Sequence, residues 1–128
     1  MNKDVLVLVN GYGCSTYAFF RMAHYLKRYF KLIIMDIPGM GLSSRNQFIN
    51  EFETHQDWMA YFISRMKRFF DLMNLDQFIM AGHSIGGYIC TYYFDKYKNQ
   101  IKKLILLSPA GFNPVTNDFL YNKRKQIR

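Results

Sequence analysis

Apolar residues in this chain fall into two kinds of pattern that alternate along its length. Four short stretches, at residues 5–9, 32–35, 78–81 and 104–107, are apolar without interruption. Runs of this length closed by turn residues read as strands buried on both faces. Between them, apolar positions return at helical spacing. Phe19, Phe20, Ala23, Tyr25, Leu26 and Phe30 mark a helix over 16–29, with Ser15 as its cap. Thr54 with Asp57 three residues on makes a capping pair for a long helix through Met73. Its predicted apolar face is Trp58, Phe62, Met66, Phe69 and Met73. A third helix follows Gly86 to about Tyr97, and Pro109, Gly111 and Pro114 then break regular structure. The order β-α-β-α-β-α-β demands crossovers, hence four parallel strands with helices on both faces. No internal repeat or linker divides the chain, so residues 1–128 are expected to form one unit.

The segment between the third strand and the third helix carries the chemistry. Gly82-His83-Ser84-Ile85-Gly86-Gly87 places a serine on a strand-to-helix turn. Such a turn is sharp and strained, and it needs small residues two before and two after the serine, because the helix packs close to the strand. Gly82 and Gly86 meet that need, and Gly87 adds clearance. The Ser84 hydroxyl is then lifted clear of the sheet edge, toward a substrate. The Ile85 N–H, at the helix start, faces a developing oxyanion with help from the helix dipole. A bare Gly-x-Ser-x-Gly arises by chance in roughly one chain in twenty-five of this length, so the strand-helix context carries the assignment. The competing reading is a glycine-rich turn with a structural serine.

Composition narrows the picture. Half of the 128 residues are hydrophobic and 18% are aromatic, which suits a folded core. No apolar run reaches membrane-spanning length. Cys14 and Cys90 suggest no disulfide framework, so a reducing, cytoplasmic setting is expected. Without a Cys/His cluster at ligand spacing, neither a metal nor a cofactor is expected. The net charge of +8 is uneven, with Lys123, Arg124, Lys125 and Arg128 near the end. That excess, beside Phe119, Leu120 and Tyr121, suits an anionic membrane surface or a solvated tail, and no nucleic acid is expected as partner.

Taken together, these residues resemble the alpha/beta-hydrolase superfamily, most closely its lipid-acting subfamily of lipases and lipase coactivators. The resemblance spans about Val5 to Phe112. It rests on the loop Asn10-Gly11-Tyr12-Gly13, the turn from Asp36 through Pro38-Gly39-Met40-Gly41 to Ser43-Ser44-Arg45, the elbow at Ser84, and the run Ser108-Pro109-Ala110-Gly111-Phe112. It implies Ser84 as nucleophile and the N–H groups of Tyr12 and Ile85 as the oxyanion hole. Asn10, Gly11, Gly13, Gly82, His83, Gly86 and Gly87 would support the loop and elbow. Asn10 stands where relatives usually carry His, and an Asn can still hold the loop by hydrogen bonding. The family's sheet order places the strands starting at Val5, Leu32, Phe78 and Leu104 as second, first, third and fourth. The outer two then have open apolar edges with almost no charge.

A complete domain of this family usually needs roughly 250 residues. The resemblance therefore implies one incomplete domain, the nucleophile-bearing part, with the acid and His loops absent. Within the chain, His83 adjoins Ser84 but is expected to turn away from its pocket. His24 and His55 are expected on the outside of the sheet. Asp36 is expected to organise its own turn, Asp118 precedes no partner histidine, and Cys14 reads as a small buried residue. Three functional readings stay open. The first is a serine hydrolase of the carboxylic-ester class acting on a small-molecule or lipid ester, at membranes or lipid droplets. The second is an acyltransferase. The third is a non-catalytic lipid- or lipase-binding module or inactive fragment.

Overall fold

The computed structural model describes residues 3–45 and 52–111. Strands β1 (Val5–Val9), β2 (Lys31–Met35), β3 (Phe78–His83) and β4 (Ile101–Leu107) form one parallel sheet in the order β2-β1-β3-β4. This is the predicted order. Between the strands lie α1 (Phe20–Leu26), entered through a 3-10 turn at Thr16–Phe19, then α2 (His55–Leu72) and α3 (Ile85–Lys96).

The two central strands, β1 and β3, are buried on both sides, as their unbroken apolar runs predict. The outer strands depart from that expectation: β2 is only half-buried, and Ile105 and Leu106 of β4 are exposed, because an edge strand has a neighbour on one side alone. Along β1, Val7 and Val9 enter a core with residues of α2 and α3, including Ile63, Phe70, Ile89 and Tyr93. Leu6 and Leu8 face the other way, onto Phe19 and the partly buried Leu26 and Phe30 beside α1. Side-chain alternation thus feeds two cores from one strand. In the larger core, Phe70 meets Phe78 at a tilt and Tyr93 edge-to-face, with ring centroids 4.6 and 5.4 Å apart.

Helix α2 starts as the sequence predicts. Thr54 caps it by accepting from the Asp57 N–H, and Asp57 answers by accepting from the Thr54 N–H at 2.9 Å. Its buried face differs from the expected one. Met59, Ile63, Met66 and Phe70 are buried, whereas Trp58 and Phe62 flank the core and Phe69 and Met73 are exposed. The helix carries apolar residues on adjacent stripes, and spacing alone does not choose between stripes one residue apart. α1 is shorter than the predicted helix, because the chain enters it through the 3-10 turn and leaves it at Lys27.

The outer strands also differ from expectation. β4 begins at Ile101, opposite Phe78, so it includes the exposed Lys102 and Lys103. Ile79 pairs with Lys103, which leaves Lys102 unmatched in a bulge, and Lys102 forms an ion pair with Asp4 at 2.6 Å. β2 begins at Lys31. The edges are therefore not uncharged, and bulges and lysines are common defences against edge pairing. The expectations for Phe112, Pro114, Asp118, Phe119, Leu120, Tyr121, Lys123, Arg124, Lys125 and Arg128 lie outside the described residues. Among the described residues, no helix is long and apolar enough to cross a membrane.

Candidate active site

Ser84 sits between β3 and α3 with φ 54° and ψ −124°. A non-glycine residue in this region costs about 1–3 kcal/mol and persists only where its surroundings over-determine it. They do so here. The Ser84 N–H donates to the Leu107 carbonyl at 3.1 Å, and the Ser84 carbonyl accepts from Ala110 at 3.0 Å and Tyr88 at 3.2 Å. The end of β4 and its loop thus clamp the elbow from one side.

The glycines explain how strand and helix come so close. A Cβ on Gly82 would stand 2.6 Å from the Gly87 Cα, and one on Gly86 would collide with the Asn10 carbonyl. On the other side of Ser84 runs the loop after β1. A Cβ on Gly11 would lie 3.0 Å from the Ser84 Cβ and 3.1 Å from His83 Nδ1. A side chain at this position would force the serine or the histidine to give by a few tenths of an ångström.

That loop is fixed by a polar pair, a buried asparagine and a half-buried aspartate. Asn10 is fully buried, and its amide nitrogen donates to Asp36 Oδ1 at 2.7 Å and to the Cys14 carbonyl at 3.0 Å. Its amide oxygen accepts from the Ile37 N–H at 3.2 Å. Asp36 also accepts from the Thr16 N–H at 2.6 Å and the Leu42 N–H at 2.9 Å, while its carbonyl accepts from the Ser43 hydroxyl. Asp36 therefore does more than organise its own turn: it ties that turn to the loop after β1. Sequence reasoning missed this bridge. The signal available was a buried-type Asn and an Asp each standing at the end of a neighbouring parallel strand.

Tyr12 lies within the loop so held, its side chain 78% exposed. The Ile85 N–H belongs to the first turn of α3 and has no intrahelical partner. The loop after β1 and the start of α3 thus both border Ser84.

The histidines lie elsewhere. His24 is exposed and meets Tyr25 edge-on. His55 Nε2 lies 3.1 Å from the Tyr88 hydroxyl, which is also 3.1 Å from the Tyr92 hydroxyl. Burial and the Tyr92 hydrogen bond push the Tyr88 phenol up to about 12, so it stays neutral. This cluster on α2 and α3 was not anticipated. His83 is half-buried beside Gly11. Among the described residues, no histidine hydrogen-bonds the Ser84 hydroxyl. Cys14 is half-buried, and Cys90 is buried, its thiol pushed up by that burial and so a poor nucleophile. Two open depressions, of about 430 and 530 Å³, are lined by Lys67, Tyr97 and neighbours. The first runs along α2 and the second surrounds the C-terminal end of α3, and neither includes Ser84.

Comparison with known proteins shows the family of the fold. The family model for the alpha/beta hydrolase fold matches residues 4–127. A 1-acylglycerol-3-phosphate O-acyltransferase of Arabidopsis thaliana is 38% identical over 84% of the chain and 25% of its own length. The (lyso)-N-acylphosphatidylethanolamine lipase of Homo sapiens is 33% identical over 87% of the chain and 32% of its own. Among solved structures, the lip1 protein of Acinetobacter baumannii AYE superposes with TM-score 0.79 at 30% identity, covering 94% of this chain and 40% of that one. The chain thus spans between a quarter and a third of the length of the curated relatives it matches.

Proposed function

The chain belongs to the alpha/beta-hydrolase family, and from that premise we propose that it is the nucleophile-bearing part of a lipid-directed serine hydrolase of the carboxylic-ester class. Ser84 Oγ attacks the acyl carbonyl, and the N–H groups of Ile85 and Tyr12 hold the oxyanion. Collapse of the tetrahedral intermediate expels the alcohol and leaves an acyl-enzyme, which water then cleaves. Asn10, Gly11, Gly13, Gly82, His83, Gly86 and Gly87 shape the loop and elbow around that chemistry. The general base is none of His24, His55 and His83, because two are engaged away from the serine and the third lies beneath Gly11. It is supplied, with its acid, by polypeptide outside these residues, in keeping with the greater length of the relatives.

The observation that carries this reading is the left-handed backbone of Ser84 with the Gly11 loop against its Cβ. A turn holding a merely structural serine has no need of that strain. The test is ester cleavage by the chain joined to the C-terminal remainder of the lip1 relative, on N-acyl and glycerol phospholipids. Cleavage that Ser84→Ala removes is the expected result. Cleavage that survives Ser84→Ala overturns the assignment, and none from either form favours a binding module.

A second reading, acyl transfer, is favoured by the name of the Arabidopsis relative. It shares every step up to the acyl-enzyme and differs only in the acceptor. Adding 1-acylglycerol-3-phosphate to the same assay separates the two, since a transferase passes the acyl group to it and a hydrolase to water.

A further inference from the structure

Helix α1 and the turn before it differ from the rest of the surface. No residue of α1 is fully buried. Tyr17, Phe20, Tyr25 and Tyr29 are 76%, 64%, 63% and 70% exposed. They are ordered against one another and against cations: Tyr17 and Phe20 stack at 5.5 Å, and the Arg28 guanidinium lies 5.9 Å over the Tyr25 ring. Arg21, Lys27 and Arg28 share this surface, and the Lys3 ammonium reaches it by donating to the Lys27 carbonyl. No acidic residue occurs between Asp4 and Asp36. Asp36 is spent on Asn10 and on backbone N–H groups, and Asp4 on Lys102.

We propose that this aromatic and basic face, residues 17–29, docks the protein on an anionic phospholipid surface. Tyrosine and phenylalanine suit the boundary between headgroups and acyl chains, where a ring can be half wet. Each Lys or Arg near such a surface strengthens binding about fivefold. The charge is of one sign, which selects an anionic partner. The face is also joined to the site: the Thr16 N–H that starts the turn is held by Asp36, the carboxylate that holds Asn10. Tyr12, and Leu42 at 95% exposure, rise from the loops on either side of that link. Docking therefore brings the loops beside Ser84 to the lipid. The proposal deepens the lipid-directed reading and rests on it for its purpose, while the binding itself is measured without cleaving an ester.

The test is flotation of the full 128-residue chain with vesicles of phosphatidylcholine alone and of phosphatidylcholine mixed with phosphatidylserine. Binding is expected only to the mixed vesicles. Arg21→Gln with Arg28→Gln is expected to weaken it about fivefold for each charge removed. Phe20→Ser with Tyr25→Ser is expected to remove the part that survives added salt. These side chains are exposed, so the variants are expected to melt with the parent. Lys123→Gln with Arg124→Gln and Lys125→Gln serves as the control for the basic tail and is expected to keep the salt-resistant part. Parent-like flotation of both helix variants, or loss of all binding in the tail control, overturns the proposal. So does equal binding to both vesicle types, or preference for a single-stranded RNA over the mixed vesicles. A helix variant that alters self-association in sedimentation velocity, with flotation unchanged, assigns the face to a second copy and overturns it as well.

Discussion

The two faces of the sheet are built to different standards. On one, α2 and α3 bury Met59, Ile63, Met66, Phe70, Ile89 and Tyr93 against β1 and β3, and aromatic rings interlock. On the other, α1 covers Leu6, Leu8 and Ala81 only through Phe19 and half-buried neighbours, and it turns its own aromatics outward. The first face secures the elbow, because α3 carries Ser84 at its start. The second presents chemistry to the surroundings.

The largest effect that tests this contrast is on stability. Phe70→Ala empties the centre of the closed face and is expected to cost about 3–5 kcal/mol in urea unfolding. Phe20→Ser, on the open face, is expected to stay within about 0.5 kcal/mol of the parent. Equal losses in the two variants would erase the distinction between the faces.

A smaller effect is expected where the closed face meets the site. Gly82→Ala puts a methyl group against the Gly87 backbone and is expected to cost about 1–3 kcal/mol. It also moves α3 away from β3, so the chain joined to a relative's remainder is expected to lose activity well before it unfolds. An alanine variant with parental turnover would show that the close approach is not needed for the elbow.

The smallest sits at the start of α2. Thr54→Ala removes the cap and is expected to cost about 1 kcal/mol by thermal melting. The hydrogen bonds from the Thr54 hydroxyl and N–H hold the Asp57 carboxyl below its ordinary value of 3.8. A depressed carboxylate stabilises the fold above that unfolded value, and the stabilisation fades as pH falls through the lower folded one. The gap between parent and Asp57→Asn is therefore expected at neutral pH and closes on acidification below 3.8. A gap that widens in acid would contradict the capping geometry.

Much of this architecture is legible in the sequence, for physical reasons that also explain the rest. Unbroken apolar runs marked all four strands, although only β1 and β3 are buried on both sides, and the order of the strands followed from the resemblance to the alpha/beta hydrolases. The Thr54–Asp57 box marked the start of α2 by its own chemistry. Which stripe of α2 faces inward was not legible, because Trp58 and Phe62 compete with Met59 and Ile63 and only packing decides. The lysines of β4 escaped notice because polar residues at an edge strand do not interrupt its ladder. At the site, the glycine spacing foretold the close crossing of strand and helix. The Asn10–Asp36 bridge joins residues far apart in sequence and adjacent only through the pairing of β1 with β2, so no local pattern contained it.

Every step of the proposed chemistry passes through Ser84 as the reacting group. Peptide mapping by mass spectrometry after exposure to a fluorophosphonate tests it most directly, in the chain joined to the remainder of the lip1 relative. A single phosphonylated peptide containing Ser84 is expected, and no adduct in Ser84→Ala. An adduct on another residue of the chain, or undiminished labelling of Ser84→Ala, would contradict it.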